Sequence, residues 1–448
     1  MSPALLSAVY RFVAVYPEDA TPSLVGREII DCRFPVIAMG GNQREGQFGQ
    51  DRNSKPLRIA YLALVEIDVA NACSVHTREL AEHLAASGHE VMLIMPKPMH
   101  AQAWRGISHV WVRWWGFSQL RHLAFCVESA WRLILLHRRR SFDALYVREM
   151  PRHYPFLPAL TQWLNLPLFV EVNGWLLEEL RIEGVPAGAL ESAKRRQQAL
   201  FQAAAGILVS TVGNADKVEA HYGIPRRQIV VQELGTNTEH FSPGDKPASR
   251  MAIGLSPDWL IVLFAGSFNP HHDLGTLLEA FARMAAVEGR ARLVLVGHGA
   301  LWNSVRARRE ALGLADRVLM PGDVPYGRVT QYFRAADIGV LPLTASNVKQ
   351  RNGAIALKLW DYMAAGLPVV VTDFPSTPSA SLLADKAYVV PPEDPNAMAK
   401  AFADLLGSTN KRARLAEAGL KYVRQHRTWR QAAAETADFI ARRLKDGA

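Results

Sequence analysis

The chain has 448 residues, 49% of them hydrophobic and 21% charged, enough for two or three globular domains and unlike a disordered polymer. No run approaches the ~20 apolar residues of a spanning helix, and Cys32, Cys73 and Cys126 are too few, and odd in number, for a disulfide framework, which points to a reducing compartment. A formal net charge of +9 favours anionic partners such as nucleotides, nucleic acid or an acidic membrane surface.

Residues 1–55 show no sustained period and are glycine-rich around Gly40, Gly41, Gly46 and Gly49. They read as an extension outside the fold, so a chain starting near Ser54 is expected to keep fold and activity. No secretory pattern opens the sequence, and a cytoplasmic location is expected. Order begins at "LRIAYLAL" (57–64), an apolar run of buried-strand type. A polar loop through residue 76, an amphipathic helix ending at Gly88 and the strand "HEVMLIMP" (89–96) complete a βαβ unit. Further strands are expected at 142–149, 166–174 and 204–211, with helices at 119–138 and 188–203. In the helix over 119–138, Leu120, Leu123, Val127 and Ile134 recur at helical spacing.

A second alternating series follows "FSPGDKPASR" (241–250). It contains the strands "DWLIVLFAGSF", "ARLVLVGHG", "VLMPGDV", "DIGVLPL", "LPVVVTD" and "AYVVPP". The chain is therefore read as α/β, with two Rossmann-like doubly wound domains face to face. The extension 1–55 comes first. An N-terminal domain over 56–243, a C-terminal domain over 244–426 and a last helix over 427–448 that returns to the N-terminal domain follow. The cleft between the domains is the expected site.

The richest stretch is "NGAIALKLWDYMAAGLPVVVTD" (352–373). Small residues precede a helix that starts near Ala356 and stops at Gly366. A helix N-terminus with free N–H groups suits a diphosphate. Lys358 adds a charge in the first turn, and Asp361, one turn on, can bind a vicinal diol such as ribose. The same residues are equally compatible with a plain connecting helix.

This stretch resembles the donor-site helix of family 4 glycosyltransferases. "GHEV" (88–91), "GTNTEHFSP" (235–243), "FAGSFNPHHDLGTLLEAF" (264–281), "AADIGVLPL" and "HRTWRQAA" (426–433) are similar to family segments in the family's order. The resemblance implies the GT-B fold. It also implies a retaining, metal-independent transfer from a nucleotide-diphosphate sugar to a hydroxyl acceptor, in cell-surface polysaccharide or glycolipid synthesis, with no cofactor. The family's two glutamates, separated by seven residues, would fall at Gly353 and Asp361, so the first is absent. The phosphate-loop Arg and Lys would fall at Ser267 and His272, where His272 can donate to phosphate. Lys349, Arg351 or Lys358 would supply the missing charge. Ala354, Ile355, Ala356 and Leu357 would meet the diphosphate through their backbone, and Val324, in the loop Gly322–Pro325, the base. Ala72, Cys73 and Ser74 replace the glycine-rich acceptor loop. Asn173 stands where many members carry an active-site histidine, and with His76 it completes the expected catalytic set. A nucleotide-binding scaffold without catalysis and a sugar-nucleotide epimerase are the alternatives.

Residues 104–140 carry seven arginines against the single acid Glu128, together with Trp104, Trp111, Trp114, Trp115 and Trp131. Basic residues with tryptophan suit the inner face of an anionic membrane, where a lipid-linked acceptor would be met, with Trp114, Trp115 and Arg138–Arg140 as contacts. The competing reading is a packed helix and an aromatic strand. Nucleic acid is not expected, because no recognition motif accompanies the charge.

Overall fold

The computed structural model describes residues 55–65, 72–98, 104–113, 118–149, 155–182, 184–345, 356–373 and 382–446. The expected N-terminal extension therefore lies outside the described residues.

The N-terminal sheet is formed by β1 (Arg58–Leu62), β2 (Glu90–Pro96), β3 (Ser108–Val112), β4 (Ala144–Arg148), β5 (Leu168–Val172), β6 (Gly206–Val209) and β7 (Ile229–Val231). They lie parallel in the order β3-β2-β1-β4-β5-β6-β7. The C-terminal sheet is formed by β8 (Leu260–Ala265), β9 (Ala291–Val296), β10 (Val318–Gly322), β11 (Ile338–Leu341), β12 (Val369–Thr372) and β13 (Tyr388–Val390). Its order, β10-β9-β8-β11-β12-β13, repeats the same winding. Strands such as "GILV" and "IGVL" are buried on both faces, which is why they read as unbroken apolar runs rather than alternating ones. In both sheets the chain reverses its direction of winding beside the first strand, at β1/β4 and β8/β11. Ligands of doubly wound sheets bind outside the carboxyl ends of the strands at this switch point.

Among the helices between the strands are α1 (Ala72–Ala86), α2 (Ser118–Arg139), α3 (Leu157–Leu164), α4 (Leu274–Ala285), α5 (Tyr326–Ala335), α6 (Leu357–Ala364), α7 (Thr409–His426) and α8 (Trp429–Asp446). Helix α1 begins at Ala72, so Cys73, Ser74 and His76 sit in its first turns and not in a loop. Helix α2 has its buried face at Phe125, Cys126, Ser129 and Leu133, while Val127 points outward. The expected face through Val127 is thus rotated away from the core. Apolar residues on both sides of this helix leave its period without a unique phase.

Helix α8 packs Trp429, Ala433, Phe439 and Ile440 into the N-terminal core with Tyr61, Leu80, Leu84 and Phe169. Gln232 Nε2 donates to the Ala432 carbonyl at 2.9 Å and Arg443 Nε to the Ala205 carbonyl at 2.8 Å. The chain crosses between the sheets at 234–237 and again at 427–428, and the two crossings touch. Thr236 N–H donates to the Arg427 carbonyl at 2.8 Å. Gly235 is required there, because a Cβ at that position would lie 2.4 Å from the Trp429 nitrogen.

Candidate active site between the two sheets

At the carboxyl ends of β4 and β5, Arg148 and Glu171 are register partners on adjacent strands. Their side chains meet at 2.9 Å (Nη1 to Oε1) and both are buried. Tyr61, on the neighbouring β1, donates its hydroxyl to Glu171 Oε2 at 3.1 Å, and the Asn173 amide donates to Oε1. His76 Nε2 approaches the same Oε1 at 3.3 Å. Although burial opposes it, the Arg148 guanidinium and the hydrogen bond from Asn173 hold the Glu171 carboxyl below the usual range. Burial pushes the phenols of Tyr61 and Tyr146 well up, with Glu171 adding to the effect.

This arrangement corrects two expectations. His76 is only 2% exposed, lies against the Trp429 ring at 5.0 Å, and is lowered to about 4 chiefly by burial. A neutral, enclosed imidazole beside Glu171 does not stand where it could touch substrate, as the expected catalytic role requires. Ser74 is buried, so it packs inside α1 and does not face an acceptor, while Cys73 is exposed. The side chain of Ala72 lies outside the described residues. Asn173 is half-buried at the strand end, its amide nitrogen committed to Glu171.

On the C-terminal side, α6 starts beside the carboxyl end of β8. Tyr362, on α6, accepts the Ala265 N–H at 2.7 Å, which fixes the helix against that strand. The Lys358 side chain crosses Gly266, and a Cβ there would lie 2.4 Å from its Cε. Burial lowers the Lys358 ammonium, and Asp361 partly restores it. Asp361 is half-buried and raised to about 7, first by desolvation, with Thr236 and Lys358 opposing. Its Oδ1 accepts from the Thr236 hydroxyl. The next residue, Asn237, donates to both oxygens of Glu79 on α1 at 3.0 Å. Adjacent residues of the crossing segment thereby tie one carboxylate from each domain to the same point. Leu357, the first residue of α6, packs against the N-terminal core. Ala356 is the extended N-cap of the helix and gives no side-chain cap.

Ser267 is exposed, its hydroxyl accepting from Asn269 at 2.9 Å. His272 is a correction. Its Nδ1 meets the Ser267 carbonyl at 2.8 Å, so Nδ1 carries the proton. Burial, Lys358 and His271 lower it to about 4. At neutral pH its other nitrogen is an acceptor and cannot donate to phosphate, which leaves Lys358 as the described cation beside this loop. Val324 packs on the C-terminal core beside Tyr326. Lys349, Arg351, Gly353, Ala354 and Ile355 lie outside the described residues. Thr236, Asn237, Glu79, Arg148, Glu171 and Tyr362 were not singled out by their sequence. Among the described residues no group of three or more His, Cys, Asp or Glu forms a metal cluster.

A groove of about 770 Å³ lined by Pro158, Gln162, Asn165, Ala205 and Arg443 lies elsewhere, by the amino ends of β5 and β6. It is at the wrong end of the strands for ligand binding in a doubly wound sheet.

The family model described as Glycosyltransferase Family 4 matches residues 73–240, and that described as Glycosyl transferases group 1 matches residues 245–422. The chain belongs to the family 4 glycosyltransferases. It is 30% identical over 257 residues to D-inositol 3-phosphate glycosyltransferase 2 of Catenulispora acidiphila, covering 55% of this chain and 58% of that one. The chain spans about half the length of the curated relatives it matches. Among solved structures, sucrose-phosphate synthase from Thermosynechococcus elongatus superposes with a TM-score of 0.67 at 18% identity, covering 87% of this chain and 100% of that one. Anabaena HepE in complex with UDP and glucose superposes with a TM-score of 0.65 at 14% identity, covering 86% and 99%. These likenesses show that this glycosyltransferase has the GT-B fold.

Asp361→Ala in this glycosyltransferase is expected to leave the fold intact and weaken nucleotide-sugar binding about tenfold to a hundredfold, the worth of a hydrogen bond to a charged group. Calorimetric titration of the folded variant measures it, and unchanged affinity refutes the assignment. Gly266→Ala is expected to displace the Lys358 terminus, a flexible side chain, with little loss of stability. Its donor affinity should fall by up to about tenfold, read in the same titration.

Proposed function

We propose that this enzyme transfers a sugar from a nucleotide-diphosphate sugar to a hydroxyl acceptor with retention of configuration, in cell-surface polysaccharide or glycolipid synthesis. The observation that carries the reading is the placement of Lys358 and Asp361 on α6, against the end of β8. Asp361 takes the ribose hydroxyls in place of Thr236. Lys358 and the N-terminus of α6 take the diphosphate, and the developing charge on the departing phosphate is where fixed dipoles and cations lower the barrier. The bond from the anomeric carbon to the donor phosphate breaks as the bond to the acceptor oxygen forms, and the acceptor proton passes to the departing phosphate. Asn173, held by Glu171, presents its amide oxygen to a sugar hydroxyl.

HepE, of the same fold, was solved with UDP and glucose, which supports a uridine donor as the first to test. We read the enzyme as cytoplasmic and peripheral on the inner face of the membrane. A thermal-shift screen of nucleotide sugars names the donor, since a ligand bound to the native state raises the melting point by mass action. No shift with any nucleotide sugar refutes the reading. Gly353, in place of the first acid, favours one rival, a scaffold that binds nucleotide without transfer. Product analysis with the best donor separates the two.

A further inference from the structure

Helix α2 is apolar on two opposite faces. One face packs Phe125, Cys126 and Leu133 into the N-terminal core. The other carries Val127, Trp131 and Leu135, one helical turn apart, at 49%, 56% and 40% exposure. Beside it on α3, Trp163 is 54% exposed. These four are the majority of the seven large hydrophobic side chains exposed among the described residues. Scattered apolar residues on a surface need no explanation, but a contiguous set marks a contact, and the solvent face of an ordinary surface helix is polar.

The charge around this set identifies the partner. Arg138, Arg139 and Arg140 are exposed at the carboxyl end of the stripe, and the Arg138 guanidinium lies 5.0 Å over the Trp163 ring. Glu128, the single acid of residues 104–140, is paired with Arg132 at 2.7 Å. Tryptophan favours the boundary between an apolar phase and water. A second copy seated on this face would bring two arginine clusters together, which disfavours self-association. We infer that the Val127–Trp131–Leu135 face of α2, with Trp163 and Arg138–Arg139, docks on an anionic lipid bilayer. Here the apolar stripe enters the headgroup boundary and the arginines meet lipid phosphates. Trp114 and Trp115, the two tryptophans expected to make this contact, lie outside the described residues, while Trp104 of the same segment is buried and Trp111 is stacked on His109 at 4.7 Å. Among the described residues the exposed apolar set belongs to the helix. Arg140 is also engaged with Glu90 at 2.9 Å, so Arg138 and Arg139 are the cleaner probes.

The inference deepens the reading of a peripheral enzyme and is independent of the donor chemistry. Its test is co-sedimentation of the full chain with vesicles of equal parts phosphatidylglycerol and phosphatidylcholine, against phosphatidylcholine alone. The wild type is expected to sediment with the anionic vesicles only, and less as salt is raised. Arg138→Ser/Arg139→Ser should bind about thirtyfold more weakly, and Trp131→Ser about tenfold more weakly. Both variants should keep the wild-type melting curve and the same thermal shift with nucleotide sugar in lipid-free buffer. A wild type that stays in the supernatant at low salt, or variants that sediment as the wild type does, overturns the inference. So does a dimer, seen by ultracentrifugation, that Trp131→Ser dissolves while the wild type ignores vesicles. None of these results bears on the thermal shift, so a failed donor assignment is recognised separately.

Discussion

Arg148→Met is expected to destabilise the protein by about 3–5 kcal/mol, the usual consequence of leaving a buried charge without its partner. Glu171 would keep the Tyr61 hydroxyl and the Asn173 amide but lose the guanidinium that meets it at 2.9 Å. The carboxylate is enclosed by β1, β4, β5 and α1, and water cannot replace the lost cation. Removing both charges in Arg148→Met/Glu171→Gln should recover much of the loss, because two neutral groups of similar size owe no desolvation cost for a charge. Urea denaturation of the wild type, both single variants and the double variant gives the coupling by a double-mutant cycle. Additive losses with no recovery would show that the two residues act separately. The Asn173 side chain depends on the same carboxylate, so the single variant is expected to lose activity in its folded fraction as well.

Glu149→Gln is expected to flatten the decline of stability between pH 5 and pH 8. Glu149 follows β4, accepts from the Gln197 amide, and is raised to about 8, first by burial. The unfolded chain gives up this proton near the ordinary value of 4.5, while the folded protein keeps it to about 8. Over that interval the folded state binds more protons, so this residue's contribution is present in full below pH 4.5 and is lost as pH rises toward 8. At 1.4 kcal/mol per unit the loss is about 3 kcal/mol between pH 5 and pH 8. A neutral amide keeps the bond from Gln197 and has no proton to lose. The variant should match the wild type at pH 5 and exceed it at pH 8, as read from urea midpoints. Parallel stability curves for the two proteins refute the assignment.

The two windings were already legible in the order of the amino acids. Apolar runs such as "LRIAYLAL" and "LPVVVTD" are short and bounded by turn residues, as strands buried on both faces are, and helices between them leave parallel order as the solution. It also located α6, because Gly366 and Pro368 end the helix and small residues precede it. The placement of Lys358 and Asp361 on that helix was legible there, since both lie close behind its start. Contacts between residues far apart in the chain were not legible in this way. Arg148 and Glu171 are charges inside apolar runs, and nothing in either run says that the other is its register partner. Thr236 meets Asp361 from 125 positions away, and Glu79 meets Asn237 from 158. The roles of His76 and His272 changed for the same reason. A histidine near a helix start is a plausible catalyst in sequence, and one after a strand end a plausible phosphate donor, but burial in both cases, with Lys358 adding to it at His272, keeps each ring neutral. The outward stripe of α2 was likewise hidden, because a helix apolar on both sides does not declare which side faces the sheet. Burial is a property of what packs against a residue, and the chain order alone does not contain it.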